Sequence, residues 1–236
     1  MEKVAVVLAG GKGTRLRPYT IVLPKPLVPI NDFPVLELIL RQLRSNGFTR
    51  IVVAVNHLAE LIMAYFGDGS RWDLKIEYSM ESTPLGTIGP LKIIQNLPEN
   101  VLLLNGDVIT DLDIASFYDD HVTSKNLFTV AGYKRELKSE YGVLDIDESG
   151  KLTGFREKPS FELFVSMGIY MVNTSLVDQI PEGINYGFDN LMRDLLAGGR
   201  QVKVHIHDGY WLDIGRPEDF EKALNQPELI NRVYFS

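Results

Sequence analysis

Residues 8–18 read LAGGKGTRLRP, and residues 23–27 read LPKPL. The apolar run at residues 4–7 (VAVV) precedes the first segment and is typical of a buried parallel strand, so the glycines lie where a strand passes into a loop. Three glycines in four residues leave the backbone open to close approach, and consecutive N–H groups in such turns can bind an anion. The sequence therefore predicts a phosphate-binding loop after the first strand.

The charge pattern around this loop also indicates an anionic ligand. No carboxylate lies between Glu2 and Asp32, whereas five cations do: Lys3, Lys12, Arg15, Arg17 and Lys25. Because the whole chain has a formal net charge of -7, this local cationic segment predicts a specific anionic ligand rather than a basic surface. The acidic balance argues against a nucleic-acid partner.

Two familiar phosphate-binding motifs do not fit these residues. The dinucleotide fingerprint G-x-G-x-x-G fails because Leu16 stands where its third glycine belongs. The P-loop fails because Lys12 precedes Gly13 instead of following it. A tight turn with solvated cations would explain the glycines alone, but not the ordered Thr-Arg and Pro-Lys-Pro that follow them.

The whole pattern, G-G-x-G-T-R-L-x-P-x-T and then P-K-P, resembles the signature of the sugar-1-phosphate nucleotidylyltransferases, or nucleotide-sugar pyrophosphorylases. The resemblance covers nearly the entire chain. It implies a GT-A-like, Rossmann-like α/β fold, with a doubly wound, mixed but mainly parallel sheet in a three-layer α/β/α arrangement. It also implies an enzyme in which a sugar 1-phosphate attacks the α-phosphorus of a nucleoside triphosphate, releasing pyrophosphate and forming an NDP-sugar.

The same resemblance implies the residues of the site. The catalytic cations are Arg15 and Lys25. The nucleotide-binding residues are Leu8, Ala9, Gly10, Gly11, Gly13, Thr14, Arg15, Glu81, Leu85, Gly86 and Gly106. The sugar-phosphate-binding residues are Tyr141, Gly142, Glu157, Lys158 and Ser166. The metal ligands are Asp107 and Asp213, which would hold Mg²⁺.

The chemistry of these residue types agrees with the implied roles. Magnesium takes hard oxygen ligands, typically one or two carboxylates together with substrate phosphates. Asp107 and Asp213 both lie at the ends of predicted strands, so a doubly wound sheet could bring them together. A carboxylate such as Glu157 can accept from sugar hydroxyls, and the ammonium of Lys158 is a compact charge for phosphate. The histidines have no metal-ligand spacing and are expected to be structural or solvent-facing.

One segment departs from a pattern frequent in this family. Many relatives have Asn-Ala-Gly before the next strand, whereas this chain reads Ser166-Met167-Gly168. A serine hydroxyl is shorter and lacks the paired donor and acceptor of an amide. The sugar contact at Ser166 is therefore in question, and the sugar preference is expected to differ from those relatives.

Length and composition predict one domain over residues 1–236. The resemblance implies a nucleotide-binding half at about 1–125 and a sugar-binding half at about 126–236. Longer relatives append a C-terminal β-helix of hexapeptide repeats, which is not expected here. The chain contains no cysteine, no run of eighteen apolar residues and no basic-then-apolar leader. These features predict a cytoplasmic location without membrane contact, and a homo-oligomer is possible.

Several functions stay open at this point. The segments PLGTIGPL (84–91) and YWLDIG (210–215) look most like mannose-1-phosphate guanylyltransferases, which favours GTP with mannose 1-phosphate or a related manno-sugar. A glucose-1-phosphate uridylyltransferase or thymidylyltransferase is the rival. A second alternative is a non-catalytic paralogue that binds NDP-sugar and regulates a partner enzyme. A third is a glycosyltransferase that uses a D-x-D metal motif, spelled here by Asp111-Leu112-Asp113.

Overall fold

The computed structural model describes residues 2–235, apart from the side chains at positions 229, 232 and 235. Within this range the strands are β1 (Lys3–Leu8), β2 (Pro29–Ile30), β3 (Phe33–Pro34), β4 (Phe48–Val55), β5 (Lys75–Met80), β6 (Asn100–Asn105), β7 (Val108–Thr110), β8 (Phe128–Lys138), β9 (Val143–Ile146), β10 (Leu152–Arg156), β11 (Ser160–Asn173), β12 (Lys203–His207) and β13 (Trp211–Asp213). The helices are α1 (Val35–Ser45), α2 (Ala59–Phe66), α3 (Ile114–Thr123), α4 (Phe188–Ala197), α5 (Pro217–Leu224) and α6 (Pro227–Phe235).

The centre of the fold is a seven-stranded sheet in the order β12-β8-β11-β6-β1-β4-β5. All its neighbouring pairs are parallel except those that involve β11, which is antiparallel to both β6 and β8. The predicted mixed, mainly parallel sheet is therefore confirmed. Because β1 and β6 are neighbours and parallel, their carboxyl ends meet at one edge of the sheet.

Both faces of the sheet are buried, which explains the uninterrupted apolar runs in its strands. Successive side chains of a strand point to opposite faces. Accordingly, Val4 and Val6 belong to one apolar core and Ala5 and Val7 to the other. The core containing Ala5 is covered by α1, α2, α3, α5 and α6, and the other by α4 and short 3₁₀ turns. The three-layer α/β/α arrangement is confirmed.

A long β-hairpin projects from the carboxyl edge of this sheet. The pairing of β11 with β6 ends at Ile169 opposite Leu104, but β11 and β8 continue to pair as far as Ser160 and Lys138. The small β9–β10 hairpin lies between the ends of β8 and β11 in the chain. We call residues 133–167 the arm. The sequence predicted only short strands here. The length of β8 and the fourteen residues of β11 therefore exceed the prediction.

Two further differences from the sequence concern helices. One interpretation of residues 86–90 is that they begin a helix carrying Leu91, Ile93 and Ile94, but the structure has only a short 3₁₀ turn here, Gly89–Lys92. The helix α6 had no counterpart in the sequence prediction. Across residues 2–235, every helix falls short of the length and apolar character needed to cross a membrane.

Candidate active site

A cleft of about 470 Å³ opens where the carboxyl ends of β1 and β6 meet. Its lining includes many of the residues predicted from the sequence: Leu8, Ala9, Gly10, Gly11, Lys25, Glu81, Gly86, Gly106 and Asp107. It also includes three asparagines that the sequence did not indicate: Asn56, Asn105 and Asn185. The glycine loop, the segment after β5 and the end of β6 are therefore walls of one cavity.

Backbone contacts form the floor of this cleft. The N–H of Gly106 donates to the carbonyl oxygen of Leu8 at 2.8 Å, and a Cβ at Gly106 would lie only 2.7 Å from that oxygen. The N–H of Ala9 donates to the carbonyl of Ala54, also at 2.8 Å. Glycine is needed at position 106 because the end of β6 approaches the end of β1 too closely for a side chain.

The glycine loop itself needs an unusual backbone at one position. Gly13 has φ +59°, a left-handed conformation that side chains disfavour. The hydroxyl of Thr20 donates to its carbonyl at 2.7 Å and fixes the turn. The 3₁₀ turn that follows, Thr14–Leu16, buries Leu16 and leaves Thr14 and Arg15 exposed. The loop is thus anchored by Leu16, while its polar side chains stay available to a ligand.

Lys25 forms an ion pair with Asp107 inside the cleft. The two side chains are only 13% and 14% exposed. Burial lowers the pKa of Lys25 from 10.5 to about 8, an effect that Asp213 opposes and Arg15 reinforces. Lys25 is therefore a cation that a ligand with negative charge would stabilise.

Asp213 reaches the same place through a separate two-stranded ribbon. Strand β13 pairs with β7, which puts Asp213 opposite Val108, the residue after Asp107. The N–H of Ile214 donates to the carbonyl of Asp107 at 2.9 Å. Asp107 and Asp213 therefore lie on adjacent, hydrogen-bonded segments, and their role as metal ligands stays a prediction. However, the central sheet does not pair these two segments, because β7 and β13 form a sheet of their own.

Gly215 marks the point where the charged groups converge. A Cβ at this position would lie 2.9 Å from Asp213 Oδ1 and 3.1 Å from Arg15 Nη2, and it would also meet Lys25 Nζ. The N–H of Gly215 donates to Asp213 Oδ1 at 2.9 Å. The two predicted catalytic cations and a predicted metal ligand therefore surround one glycine beside the cleft.

The donor set at this point fits a hard divalent cation. Asp107 and Asp213 offer carboxylate oxygens, which magnesium prefers, and the phosphates of a substrate would complete its shell. Among residues 2–235, no three or more histidine, cysteine or acidic side chains cluster in a way that would enclose a metal ion by themselves.

The opposite end of the cleft is formed by Glu81 and the loop after it. Glu81 Oε2 accepts from the N–H of Leu85 at 3.0 Å, and its Oε1 lies 3.5 Å from a Cβ built on Gly10. Burial raises the pKa of Glu81, and the Leu85 N–H partly offsets this. The side chain of Leu85 is buried and lies outside the lining of the cleft, which Leu85 reaches only through its hydrogen bond to Glu81.

A loop from the second half of the chain supports this end of the cleft. The carbonyl of Tyr186 accepts from the N–H groups of Ile88 and Gly89 at 3.1 and 3.0 Å, and the N–H of Tyr186 donates to the carbonyl of Leu85 at 2.8 Å. Gly86 has φ +82°, and a Cβ there would lie 2.8 Å from the Tyr186 carbonyl oxygen. This contact makes glycine necessary at position 86.

The predicted sugar-side residues lie on the arm. Gly142 and Glu157 are neighbours, since a Cβ on Gly142 would lie 3.2 Å from Glu157 Oε2. Tyr141 is 79% exposed, and Lys158 is exposed with φ +41°. Within the described part of the chain, these four residues lie outside the lining of the 470 Å³ cavity. Their assignment to the sugar phosphate stays a prediction.

Ser166 occupies a bulge at the base of the arm. The register between β8 and β11 shifts between Ser166 and Tyr170. The Ser166 hydroxyl donates to Tyr170 Oη at 3.0 Å and accepts from the N–H of Gly168 at 3.2 Å. Gly168 has φ +76° and faces Asn105, a residue of the cleft. The Ser-Met-Gly segment therefore adjoins the site, although the side chain of Ser166 is engaged locally.

Two sets of residues have structural roles. Asp113 accepts from the N–H of Ser116 at 2.9 Å and begins α3, while Asp111 accepts from the N–H of Tyr210 at 2.6 Å. The D-x-D spelling thus coincides with a helix cap and a loop contact.

His121 is buried and contacts Thr129 Oγ1 at 2.8 Å, as expected for a structural histidine.

Comparison with known sequences gives matches over nearly the whole chain. The model of the family described as Nucleotidyl transferase matches residues 4–228. The UTP–glucose-1-phosphate uridylyltransferase of Synechocystis sp. is 37% identical, over 93% of this chain and 62% of the relative. The mannose-1-phosphate guanylyltransferase of Mycobacterium tuberculosis is 32% identical, over 93% and 63%. The chain thus spans a little under two thirds of the length of these curated relatives.

Solved structures give the same family of folds. HddC from Yersinia pseudotuberculosis superposes with a TM-score of 0.71 at 27% identity, over 95% of this chain and 99% of HddC. A structure from Bacillus anthracis, with a TM-score of 0.77 at 21% identity over 100% of this chain and 98% of its own, supports the fold alone. Given the family match, the sequence relatives and the cleft geometry, the chain belongs to the nucleotidyl transferase family.

Proposed function

We propose that this protein is a sugar-1-phosphate nucleotidylyltransferase that forms an NDP-sugar and pyrophosphate from a nucleoside triphosphate and a sugar 1-phosphate. The observation that carries the proposal is the convergence of Arg15, Lys25 and Asp213 around Gly215, with Asp107 paired to Lys25. Cations and carboxylates placed together beside a glycine loop suit phosphoryl-type transfer, in which positioning and charge neutralisation dominate.

In the proposed reaction, a phosphate oxygen of the sugar 1-phosphate attacks the α-phosphorus. A new P–O bond forms there, the bond to the bridging oxygen of the β-phosphate breaks, and pyrophosphate leaves. Arg15 neutralises the negative charge of the triphosphate, and Lys25 holds the α-phosphate and the attacking phosphate together. Lys158 is proposed to bind the sugar phosphate, with Glu157 accepting from sugar hydroxyls.

Asp107 and Asp213 are proposed to hold Mg²⁺, which would neutralise phosphate charge when bound. The protein's own contribution at this point is geometric. The Ile214 N–H to Asp107 carbonyl bond joins the two segments that carry the carboxylates, so the backbone sets their relative position.

We propose GTP with mannose 1-phosphate, or a related manno-sugar, as the substrate pair. Glu81 supports guanine because a carboxylate can accept from the adjacent N1–H and N2–H₂ donors of this base. The relatives named as mannose-1-phosphate guanylyltransferases support the same substrate pair. A structure of HddC in complex with GMP-PN supports a guanine nucleotide as well. Glucose 1-phosphate with UTP or dTTP is the second candidate, favoured by the identity to the Synechocystis uridylyltransferase. A cytoplasmic location and a possible homo-oligomer stay predictions.

The experiment is a substrate panel read by pyrophosphate release. ATP, CTP, GTP, UTP and dTTP are each combined with mannose 1-phosphate, glucose 1-phosphate and related sugar phosphates. We expect GTP with a manno-sugar to give the highest kcat/KM. The highest value with UTP or dTTP and glucose 1-phosphate would support the second candidate instead.

The reverse reaction separates this proposal from the other two classes. A nucleotidylyltransferase forms the triphosphate from NDP-sugar and pyrophosphate, whereas a glycosyltransferase transfers the sugar to an acceptor. A regulatory paralogue would bind NDP-sugar in equilibrium dialysis but show no turnover in either direction. An Asp107→Asn variant is the control, because it should abolish turnover that depends on this site.

A further inference from the structure

We propose that Asp219 is a positioning residue that fixes Asp213 for metal binding, and that Arg135 of the arm is its counter-ion. This inference rests on the proposed function, because it concerns the carboxylate that would hold the metal. Neither residue was indicated by the sequence. Both lie outside the cleft lining and act through Asp213 rather than on a substrate.

Asp219 is a fully buried carboxylate with two specific partners. Its side chain is 0% exposed. Oδ2 accepts from the backbone N–H of Asp213 at 3.2 Å, and Oδ1 accepts from Arg135 Nη2 at 2.5 Å. A buried charge is retained only where charge partners and hydrogen bonds compensate for the lost solvation. Here one of the compensating hydrogen bonds is donated by the backbone N–H of Asp213, the proposed metal ligand.

Three hydrogen bonds link Asp213 to residues between positions 215 and 219: Asp213 donates one of them and accepts the other two. In addition to the bond from its N–H to Asp219, its carbonyl accepts from the N–H of Arg216 at 2.9 Å. Its carboxylate Oδ1 accepts from the N–H of Gly215, also at 2.9 Å. The Arg216 and Gly215 bonds are local turn contacts, whereas the Asp219 bond ties the residue to a helix, α5. Asp219 therefore determines how the end of β13 sits against α5.

Arg135 connects this arrangement to the arm. Its guanidinium lies over the ring of Trp211 at 5.3 Å from the centroid, and its side chain is only 18% exposed. Trp211 Nε1 donates to the carbonyl of Met167 at 3.1 Å, at the bulge where the arm begins. Residues from the arm, the β7–β13 ribbon and α5 thus meet at one buried ion pair. Lys222 adds only a distant, exposed charge, 4.0 Å from Asp219 Oδ1.

This arrangement has the form of an outer-shell partner of a metal ligand. Such partners orient the ligand, and their loss typically weakens metal affinity by about 10- to 100-fold. Asp219→Asn keeps the shape of the side chain but removes the charge that faces Arg135. Because Arg135 then lacks its charge partner, we expect its side chain to move and the end of β13 to shift with it. Asp213 would no longer be oriented correctly toward Asp107.

The test compares metal affinity in four proteins: the wild type, Asp219→Asn, Asp213→Asn and Glu37→Gln. Glu37 is the matched control because it is also a buried carboxylate paired with an arginine, Arg41, but lies on α1 outside the cleft lining. Mn²⁺ is titrated into each protein loaded with one equivalent of the nucleoside triphosphate that gives the highest kcat/KM in the substrate panel, without sugar 1-phosphate, because the phosphates belong to the proposed metal shell. The bound fraction is followed by electron paramagnetic resonance. Thermal melting of each variant reports stability separately.

We expect Asp219→Asn to raise the Mn²⁺ Kd by about 10-fold or more, as an outer-shell ligand partner should. Glu37→Gln should lower the melting temperature but leave the Kd within about twofold, since it removes a comparable buried pair without touching Asp213. Arg135→Gln gives a second test that does not depend on the folding of Asp219→Asn. It should also raise the Kd while leaving both aspartates in place.

Two results would overturn the inference, and they are distinguishable. If Asp213→Asn weakens Mn²⁺ binding but Asp219→Asn and Arg135→Gln do not, Asp219 only stabilises the fold and the metal assignment stands. If Asp213→Asn also leaves Mn²⁺ binding unchanged, the metal assignment in the proposed function is wrong, and Asp219 has no ligand to position.

Discussion

Lys25 Nζ and Asp107 Oδ2 form an ion pair in which both side chains are almost completely shielded from solvent. The proposed function gives these two groups different ligands, phosphate for Lys25 and a metal ion for Asp107. The ion pair therefore occupies the place of both ligands, and substrate binding must exchange it for contacts with phosphate and metal. Each group is compensated before the substrate arrives, so neither stands as an unpaired buried charge.

The first prediction concerns the pH dependence of catalysis. Burial lowers the pKa of Lys25 to about 8, so the free enzyme loses this cation as pH rises through that value. Because kcat/KM reports ionisations of the free enzyme, it should fall by about tenfold per pH unit above this pKa. A pH profile of kcat/KM measures this.

Lys25→Arg is the control for that profile. An arginine keeps its charge throughout the range, since its pKa lies above about 12. The variant should be slower because its planar head group is differently shaped, but its alkaline limb should disappear. An unchanged alkaline limb in Lys25→Arg would show that another group causes it.

The second prediction compares two arginines in the same loop. Arg15→Ala should lower kcat by about 100-fold or more, because it removes a charge that stabilises the transition state. Arg17 is also exposed, and Arg17→Ala should change kcat by less than about threefold, as usual for a solvated surface charge. Steady-state kinetics on both variants measure this, and equal losses would contradict the assignment of Arg15.

The third prediction concerns the choice of base. In Glu81→Gln, an amide replaces the carboxylate, so an N–H₂ donor can face the donors of guanine. We expect kcat/KM with GTP to fall by about tenfold or more, on the scale of one unsatisfied buried polar group, while kcat/KM with UTP falls much less. Ser82→Ala, in the same loop, is the control and should leave the ratio unchanged. An equal fall for both nucleotides would exclude Glu81 from base selection.

The fourth prediction concerns acid stability. Burial lowers the pKa of His121 to about 4, below its ordinary value of 6.5. Between these values the unfolded chain binds a proton that the folded protein excludes, so the free energy of unfolding decreases as pH falls from 6.5 towards 4. From pH 7.5 to pH 5, this group should cost the wild type about 2 kcal/mol.

His121→Asn removes this titration. The variant should be less stable at neutral pH because a smaller side chain leaves a void beside Thr129. Its loss of stability between pH 7.5 and pH 5 should nevertheless be smaller than that of the wild type. Urea unfolding at both pH values measures the difference, and equal losses in the two proteins would contradict the role of His121.

Much of the fold was predictable because local patterns dictate it. The run VAVV at residues 4–7 and the run VLLL at 101–104 predict strands buried on both faces, and both are strands of the central sheet. Pro34 and Gly47 bracket the apolar stripe of α1, as expected from the preferences of proline and glycine at helix ends. Even the meeting of the glycine loop with Asp107 follows from parallel strands sharing an edge.

The rest depends on contacts between distant segments, which no local pattern encodes. The N-terminal part of β11 is exposed and mixes polar with apolar residues. The sequence therefore indicated neither the length of β11 nor the strand with which it pairs. The β7–β13 ribbon joins segments about a hundred residues apart. Asn56 and Asn105 each lie at the end of a predicted strand, which was the only available signal for them. Asp219 resembled an ordinary charge in the first turn of a helix until its burial was known.

The hydrogen bond from Gly106 to Leu8 has a consequence for how this site could diversify. It joins the glycine loop to the segment just after β6 that carries Asp107, so the floor of the cleft is one backbone unit. The segment proposed to select the base, 81–89, borders the cleft, whereas the arm residues proposed to select the sugar lie outside its lining. We therefore expect substitutions in one of these segments to alter one proposed specificity without disturbing the other. Under the proposed function, new nucleotide-sugar pairs would then become accessible through independent, stepwise changes around a constant floor.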